Sequence, residues 1–331
     1  MPRIDSHSHI CSDHPEVLAM LGRLDLACCN ICVVSTARAK VWRQIQRDPY
    51  RDIARRHPGR FRWITSFDLP EGDDPGYVDR VIAEIDRDFA EGAIAVKVWK
   101  NIGMEVRTTD GAFMQIDHPL LRPILDHVAR SGRPMLMHLG EPLACWQALD
   151  EASPHCGYYR NHPNWHMHGR TDHPDHATIM AAWDRVLDRH RDLRVIGAHL
   201  GSQEYDTAAI AQRMDRFPHY AVDTSARLAD IAWQDATAVR SFLERYGDRV
   251  LFGIDHSYRE QTGGNADQHR ARFISEYQRS VAEADAYFQQ RGPVTIGGKT
   301  VEGLGLAPDL IDRLFRSNAV AWYDLDPALA A

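Results

Sequence analysis

Short apolar runs recur eight times along this chain of 331 residues, and helix-like segments separate them. The runs read "RIDSHSH", "ICVVST", "RWITSF", "AIAVKVW", "PMLMH", "RVIGAH", "YAVDTS" and "VLFGID". Between the third and fourth runs, residues 74–92 place apolar side chains at positions 78, 81, 82, 85 and 89, which fits the 3.6-residue period of a helix. Strands that alternate with helices predict a parallel sheet.

Several runs are nearly continuous in apolar residues, as expected for strands that are covered on both faces. Eight such strands favour an α/β fold of the (β/α)8 barrel type, with an open doubly wound sheet as the alternative. Neither glycine-rich segment supports a nucleotide site. "GLGLAP" at 303–308 lacks the third glycine of a dinucleotide fingerprint, and Pro293 stands where a phosphate loop ending in "GGKT" needs a glycine.

Two segments are longer than a barrel connection requires. Residues 139–192 lie between the fifth and sixth runs, and long loops at the carboxyl ends of barrel strands commonly build the binding pocket. Residues 256–331 follow the last run and predict a long amphipathic helix, a hairpin around Gly297 and Gly298, and a final helix from about Pro308. We therefore expect a single barrel over residues 1–331 with an active-site insert and a C-terminal extension.

Charge and cysteine content narrow the class of protein. The formal net charge of −7 gives no basic surface for nucleic acid, so no nucleic-acid partner is expected. No signal peptide and no membrane span are recognisable, which predicts a cytoplasmic protein without a membrane partner. Six scattered cysteines do not form a disulfide framework. The single CxxC of Cys29 and Cys32 lacks the second pair of a zinc ribbon, so we interpret it as buried apolar packing.

The polar residues that end the runs carry the chemical information. In "RIDSHSHI", period-two alternation places Asp5, His7 and His9 on one strand face. Four later runs also close on, or near, a titratable residue: Lys97, His138, His199 and Asp255. The carboxyl ends of barrel strands converge on one mouth, so these side chains are expected to become neighbours.

Imidazoles together with a carboxylate are typical ligands of Zn²⁺ and other divalent transition ions. Each residue also has a structural explanation of its own: a strand-end histidine can be hydrogen-bonded, Lys97 can lie in a buried ion pair, and Asp255 can cap a helix. Their joint occurrence at the ends of strands one, five, six and eight nevertheless predicts a metal site.

The motifs "IDSHSHI", "VKVW", "MLMHLGEP", "VIGAHLGS", "LFGIDHS" and "LFRSNAV" resemble the amidohydrolase superfamily over residues 3 to about 320. More narrowly, they resemble its amidohydrolase-related branch of metal-dependent TIM-barrel hydrolases and decarboxylases. The resemblance implies that His7, His9, His138 and Asp255 bind one divalent ion and that His199 is a catalytic histidine beside it. Zinc fits the histidine-rich set best, and manganese is the second choice.

In other branches of this superfamily a carboxylated lysine of strand four bridges two metal ions. Lys97 and His199 have the residue types for that arrangement, so a two-metal centre remains the alternative. In the one-metal centre that the resemblance favours, Lys97 is instead a positive charge near the substrate.

The leading hypothesis for the reaction is hydrolysis of an amide, lactone or related bond by a metal-activated water. Asp255 would take the proton of that water, and His199 would orient the water or stabilise the developing oxyanion. The alternative is non-oxidative decarboxylation of an aromatic or unsaturated carboxylic acid, in which Asp255 would protonate carbon. A third hypothesis is a metal-binding protein without catalysis.

The expected partner is a small, anionic molecule, because the pocket segments combine aromatic and cationic residues. Trp99 and Lys100 leave strand four, where pocket residues of a barrel lie. The insert adds four further candidates for substrate contact, namely Glu141, Tyr159, Arg160 and His173. The resemblance also implies a homodimer, which here has only the aromatic content of the insert to support it.

Overall fold

The computed structural model describes residues 2–36, 42–70 and 74–326. Its strands are β1 (Arg3–Cys11), β2 (Leu26–Ile31), β3 (Val33–Ser35), β4 (Arg43–Ile45), β5 (Phe61–Thr65), β6 (Ala93–Val98), β7 (Met135–Met137), β8 (Val195–Gly197), β9 (Tyr220–Asp223), β10 (Val250–Leu251), β11 (Ser257–Arg259), β12 (Arg291–Ile296) and β13 (Lys299–Leu304).

Its α-helices are α1 (Pro15–Arg23), α2 (Arg47–Arg56), α3 (Tyr77–Ala90), α4 (Asn101–Met104), α5 (Arg122–Ser131), α6 (Cys156–Asn161), α7 (His176–Arg189), α8 (Thr207–Arg216), α9 (Leu228–Ala232), α10 (Ala236–Tyr246), α11 (Ala266–Gln289), α12 (Pro308–Asp312) and α13 (Asn318–Trp322). Short 3-10 turns cover Leu143–Trp146, Pro163–Trp165 and Ala198–Ser202, and a π-helical turn covers Arg313–Ser317.

A parallel sheet forms the centre of the molecule. Its strand order is β10, β9, β8, β7, β6, β5, β2, β1, β11. The two edge strands, β10 and β11, are successive parts of one stretch, residues 250–259. The amide of Ser6 donates to the carbonyl of Phe252 (2.9 Å), and the amide of Asp255 donates to the carbonyl of His7 (2.8 Å). The last stretch therefore bonds to the first strand, and the architecture is that of a (β/α)8 barrel.

Two buried layers hold the barrel together. A cluster inside the sheet joins Ile4, Ile31, Ile64 and Leu136 to Tyr323, next to α13. A larger apolar layer packs the strands against the surrounding helices. The polar residues at the carboxyl ends of the strands lie around one mouth of the barrel.

The second strand differs from the prediction. The run "ICVVST" was expected to be a barrel strand, but β2 covers Leu26–Ile31, "LACCNI", and every residue in it is buried. Val33–Ser35 instead pairs antiparallel with Arg43–Ile45. The prediction was misled by the β-branched residues of the later run, because the small cysteines of β2 fill a buried strand equally well. Burial of Cys29 and Cys32 is confirmed.

The strict alternation predicted for β1 is also wrong. The pairing of β1 with β2 shifts register between Asp5 and Ser8, which marks a bulge. The carboxylate of Asp5 accepts a hydrogen bond from the hydroxyl of Tyr277 in α11 (2.8 Å) and therefore faces the helical layer. His7 and His9 stay together on the side of the barrel mouth, where both approach Asp255.

The segments after the barrel strands follow the prediction more closely. The insert of residues 139–192 contains the whole of α6 and of α7. In the extension, α11 is the expected long helix, β12 and β13 form the hairpin around Gly297 and Gly298, and α12 begins at Pro308. The final residues of that extension, 327–331, lie outside the described residues. Within the described ranges, the helices are too short or too polar to cross a bilayer.

Candidate metal centre

Three histidines from two strands surround one carboxylate at the mouth of the barrel. His7 and His9 lie on β1, His199 follows β8, and Asp255 follows β10. The Nε2 atoms of His7, His9 and His199 lie 3.7, 3.3 and 3.9 Å from the nearest carboxylate oxygen of Asp255. The ring of His138, directly after β7, is centred 4.2 Å from that of His199. The barrel thus brings together the five residues from which the sequence predicted a metal site.

A buried carboxylate and a serine orient two of these rings. The Nδ1 of His7 lies 2.8 Å from Oδ2 of Asp223, so this nitrogen carries the proton and donates to the carboxylate. The Nδ1 of His199 lies 2.9 Å from the carbonyl oxygen of Ser225, which can only accept. The hydroxyl of Ser225 donates to Asp223 and completes the network. Both rings consequently present an unprotonated Nε2 to the carboxylate of Asp255.

An unusual turn carries His199. Four consecutive residues after β8 adopt left-handed backbone conformations, with φ of 57°, 58°, 63° and 55° over 199–202. The amide of His199 donates to Oδ1 of Asp223 (2.8 Å), which anchors the start of this turn. Gly201 lies against the hydroxyl of Tyr220, where a side chain would collide with the phenol. The turn changes the direction of the chain after β8 and places His199 at the mouth of the barrel.

Asp255 is held as an ionised carboxylate. Its backbone is left-handed (φ 68°), a conformation that aspartate and asparagine adopt more easily than most residues. Burial raises the pKa of its carboxyl, but the neighbouring imidazoles of His7 and His199 and the hydrogen bond from His9 outweigh burial and hold the pKa well below its usual range. The site therefore contains one firm negative charge among imidazole nitrogens.

Two buried nitrogens at the mouth have no hydrogen-bond partner in the described part of the chain. They are Nε2 of His138 and Nζ of Lys97. Burial lowers the pKa of His138 well below its usual value, and the neighbouring His199 and Lys97 lower it further. Burial also lowers the pKa of Lys97 to about 8. A buried imidazole nitrogen without a hydrogen-bond partner is available to bind a metal ion.

These donors fit a divalent metal ion. His7, His199 and Asp255 each have one ligand atom within 4.8 Å of those of the other two. His9 reaches the same carboxylate, and the ring of His138, whose Nε2 has no partner in the described residues, lies beside the ring of His199. Imidazole nitrogens and one carboxylate oxygen are the ligand set of zinc and related ions.

Beside this centre, the insert contributes a buried chain of polar contacts. The ammonium of Lys100 forms an ion pair with Glu141, and both side chains are buried. The hydroxyl of Tyr159 donates to the other oxygen of Glu141 (3.1 Å). The Nζ atom of Lys100 also lies 3.9 Å from the ring centroid of Trp165 and 5.5 Å from that of Trp99. Both distances are within the range of a cation–π contact. We refer to Lys100, Glu141 and Tyr159 as the pocket wall.

The other two predicted substrate contacts lie farther out on the insert. The guanidinium of Arg160 forms an ion pair with Glu151, and both side chains are exposed. The Nδ1 of His173 lies 2.9 Å from the carboxylate of Asp172, and its ring packs on that of Phe113.

Asp223 and Ser225 are functional candidates that sequence reasoning missed. They lie in the seventh apolar run, "YAVDTS", for which the sequence analysis predicts a strand but no functional residue. The sequence did contain a signal for Asp223, because this aspartate ends β9. His199 and Asp255, which the sequence analysis identified, likewise lie at or after the ends of their strands. A carboxylate at that position can bind a metal ion itself or orient a histidine that binds one. The 2.8 Å contact between Asp223 and Nδ1 of His7 indicates the second role.

Comparison with known proteins identifies the family and supports the barrel fold. Residues 33–325 match the protein-family model described as Amidohydrolase. Among curated proteins, none matches the chain.

Solved structures show the same fold at low sequence identity. A 2,6-dihydroxybenzoate decarboxylase from Rhizobium is 16% identical over 98% of this chain and 99% of its own, with a TM-score of 0.58. An uncharacterised TIM-barrel protein from Bordetella bronchiseptica is 15% identical over 100% and 99%, with a TM-score of 0.55. A dihydroxybenzoic acid decarboxylase from a Polaromonas species, solved with bound manganese and an inhibitor, is 12% identical over 98% and 97%, with a TM-score of 0.55.

Proposed function

Since this chain belongs to the amidohydrolase family, we propose that it is a metal-dependent hydrolase that cleaves an amide, lactone or related bond of a small anionic substrate. The observation that carries the proposal is the convergence of His7, His9 and His199 on the carboxylate of Asp255 at the mouth of the barrel.

We assign His7, His9, His138 and Asp255 as the residues that hold one divalent ion. Zn²⁺ is our first choice because nitrogen donors dominate the set, and Mn²⁺ is the second. When bound, such an ion supplies Lewis acidity, which polarises a substrate oxygen and lowers the pKa of water. Asp223 contributes by fixing the proton of His7 on Nδ1, which leaves Nε2 free to act as a ligand.

Asp255 and His199 provide the proton chemistry. The ionised carboxylate of Asp255 can accept a proton at Oδ2, which faces Nε2 of His199 at 3.9 Å. The Nδ1 proton of His199 is committed to the carbonyl of Ser225, so its Nε2 is a hydrogen-bond acceptor that can orient an attacking water. A proton acceptor at this position suits hydrolysis, which begins with the loss of a proton from water.

The charges around the centre favour an anionic substrate. Lys97 is buried and its Nζ has no partner in the described part of the chain, so a substrate carboxylate would be its counter-ion. We propose this role in preference to a carboxylated, metal-bridging lysine. The pocket wall and Trp99 provide the neighbouring apolar and polar surface.

Non-oxidative decarboxylation is the second candidate. Two proteins that share the fold over nearly their whole length are decarboxylases of dihydroxybenzoic acids. The buried ammonium of Lys97 also suits a substrate carboxylate that leaves as CO₂. In this reaction Asp255 would have to deliver a proton to carbon rather than accept one.

Product analysis in ¹⁸O-labelled water tests the proposal. The zinc-loaded protein would be screened against small lactones, amides and aromatic carboxylic acids, with mass spectrometry of the products and measurement of released CO₂. Incorporation of ¹⁸O without CO₂ supports hydrolysis, whereas CO₂ without ¹⁸O in the organic product identifies the decarboxylase. The matched variant is His199→Asn, because asparagine tolerates the left-handed backbone of that position. We expect it to lose about 10²–10³-fold in kcat with retained metal, and full activity would contradict the role of His199.

A further inference from the structure

A second group of metal-ligating side chains lies outside the centre described above. His155, Glu204 and Asp230 each have one ligand atom within 4.8 Å of those of the other two. His155 belongs to the insert and directly precedes α6, Glu204 follows the left-handed turn after β8, and Asp230 lies in α9 after β9. Three loops of the barrel mouth therefore meet at this point.

Glu204 is the member that points to a ligand. Its side chain is almost completely buried, with the residue 2% exposed. One carboxylate oxygen, Oε1, accepts a hydrogen bond from the amide of Leu143 (2.9 Å). The other oxygen, Oε2, is buried and has no hydrogen-bond partner in the described ranges. A buried carboxylate oxygen without a partner is costly, and a cation would remove that cost.

The two other members are close enough to complete a ligand set. The Nε2 of His155 lies 2.7 Å from Oδ1 of Asp230, and both side chains are largely buried. They line a cavity of about 210 Å³ together with Glu204, Tyr205 and Gln234. Two carboxylates and one imidazole form a set of hard oxygen and borderline nitrogen donors, which divalent transition ions prefer.

We propose that His155, Glu204 and Asp230 form a second divalent-cation site, which fastens the insert to the rim of the barrel. The backbone gives this site a route to the substrate pocket. The amide of Tyr159 donates to the carbonyl of His155 (3.1 Å), and the hydroxyl of Tyr159 donates to Glu141 (3.1 Å). A cation on His155 thus holds α6, and with it the pocket wall, against the barrel.

The rival explanation is an ion-pair network without metal. In that case the contact between His155 and Asp230 needs no ion, and the nearby charge of Arg227 balances Glu204. The two explanations differ in the number of ions that the chain binds, and this number does not depend on finding the substrate.

The experiment counts zinc in the full chain. Untagged protein is stripped with a chelator, equilibrated with Zn²⁺, freed of excess ion and analysed by mass spectrometry. The variants are Glu204→Gln, which keeps the acceptor for Leu143, and His7→Ala, which removes a ligand of the first centre. The matched control is Glu151→Gln, a glutamate of the same insert whose side chain is 79% exposed.

We expect two zinc ions per chain in the wild type and in Glu151→Gln, and one in each of the other two variants. Loss of a ligand should weaken binding by more than the 10–100-fold that is typical of outer-shell changes, so about one ion should disappear completely. If the wild type holds one ion that Glu204→Gln loses and His7→Ala keeps, this second site stands and the first centre fails. If His7→Ala loses that ion and Glu204→Gln keeps it, or if Glu204→Gln binds as much zinc as the wild type, the proposal is overturned.

A second measurement covers the case in which Glu204→Gln does not fold. Asp230→Asn is counted in the same way, and thermal unfolding of the His7→Ala protein is followed with and without Zn²⁺. Saturating Zn²⁺ should raise the melting temperature by about 5 °C and slow proteolysis within residues 139–192. No shift in melting temperature and no protection of the insert would overturn the site.

Discussion

The candidate metal centre and the pocket wall lie side by side, but they are positioned in different ways. His7, His9 and Asp255 belong to neighbouring stretches of the sheet, and the amide of Asp255 bonds directly to the carbonyl of His7. Lys100 and Glu141 come from separate loops and meet through their own side chains. The centre therefore inherits its geometry from backbone hydrogen bonds, whereas the wall depends on a pair of buried charges. Substitutions should consequently impair chemistry in the first region and stability in the second.

Asp255→Asn is expected to have the largest effect. Asparagine tolerates the left-handed backbone at this position, so the fold should remain, but an amide cannot accept a proton and does not offset the charge of a metal ion. We expect a loss of about 10³-fold or more in kcat/KM with less than about 1 kcal/mol change in the free energy of unfolding. Kinetics and urea denaturation measure the two quantities, with the exposed Asp248→Asn as the control. Unfolding of the variant would show that the centre is structural.

Glu141→Gln should reverse that pattern. It leaves the ammonium of Lys100 buried without its counter-ion, which costs about 3 kcal/mol of unfolding free energy. The double variant Lys100→Met/Glu141→Gln removes both charges and should recover most of that loss. Urea denaturation of the two single variants and the double variant measures the coupling. Additive losses would mean that the two charges do not stabilise the wall as a pair.

Asp223→Asn tests how far the centre depends on a residue behind it. The substitution removes the negative charge that receives the Nδ1 proton of His7, while its amide oxygen can still accept a hydrogen bond. We expect zinc affinity to fall about 10–100-fold, as measured by competition with a chelating dye. Affinity equal to that of the wild type would limit the role of Asp223 to folding.

Arg160→Ala should have the smallest effect on stability. Its ion pair with Glu151 is exposed on both sides, and such pairs contribute less than about 1 kcal/mol. Thermal unfolding should therefore change little. A rise in KM at unchanged stability would instead report the substrate contact that the sequence predicted for Arg160.

Much of the fold was predictable because strands and helices leave periodic patterns. Seven of the eight barrel strands, α11 and the hairpin of β12 and β13 fall where the patterns placed them. The second strand was misplaced because cysteines and an asparagine fill β2 without a β-branched signature. The bulge in β1 was not predictable either, since a shift of register depends on pairing with a neighbouring strand.

The candidate site was predictable only in part, for a related reason. Residues that follow a strand are identified by their position, and this rule predicted that His138 and Asp255 lie near one another at the mouth. His7 and His9 were expected to close their strand, but β1 continues to Cys11. Asp223 follows the same rule but acts through a side-chain contact with His7, which no local pattern encodes. The pocket wall and the group of His155, Glu204 and Asp230 depend on how the insert packs on the barrel, which no local pattern predicts. The assigned ligand roles, the homodimer and the lack of a nucleic-acid partner stay predictions.

The left-handed turn at residues 199–202 also determines where this protein can be altered in the laboratory. Side chains at Gly197 or Gly201 would collide with the phenol of Tyr220, so almost every random substitution there should abolish folding before it can alter specificity. A mutant library that includes these two glycines would consist mostly of unfolded protein. A library restricted to the exposed positions of the insert samples new substrates while the reactive groups keep their places.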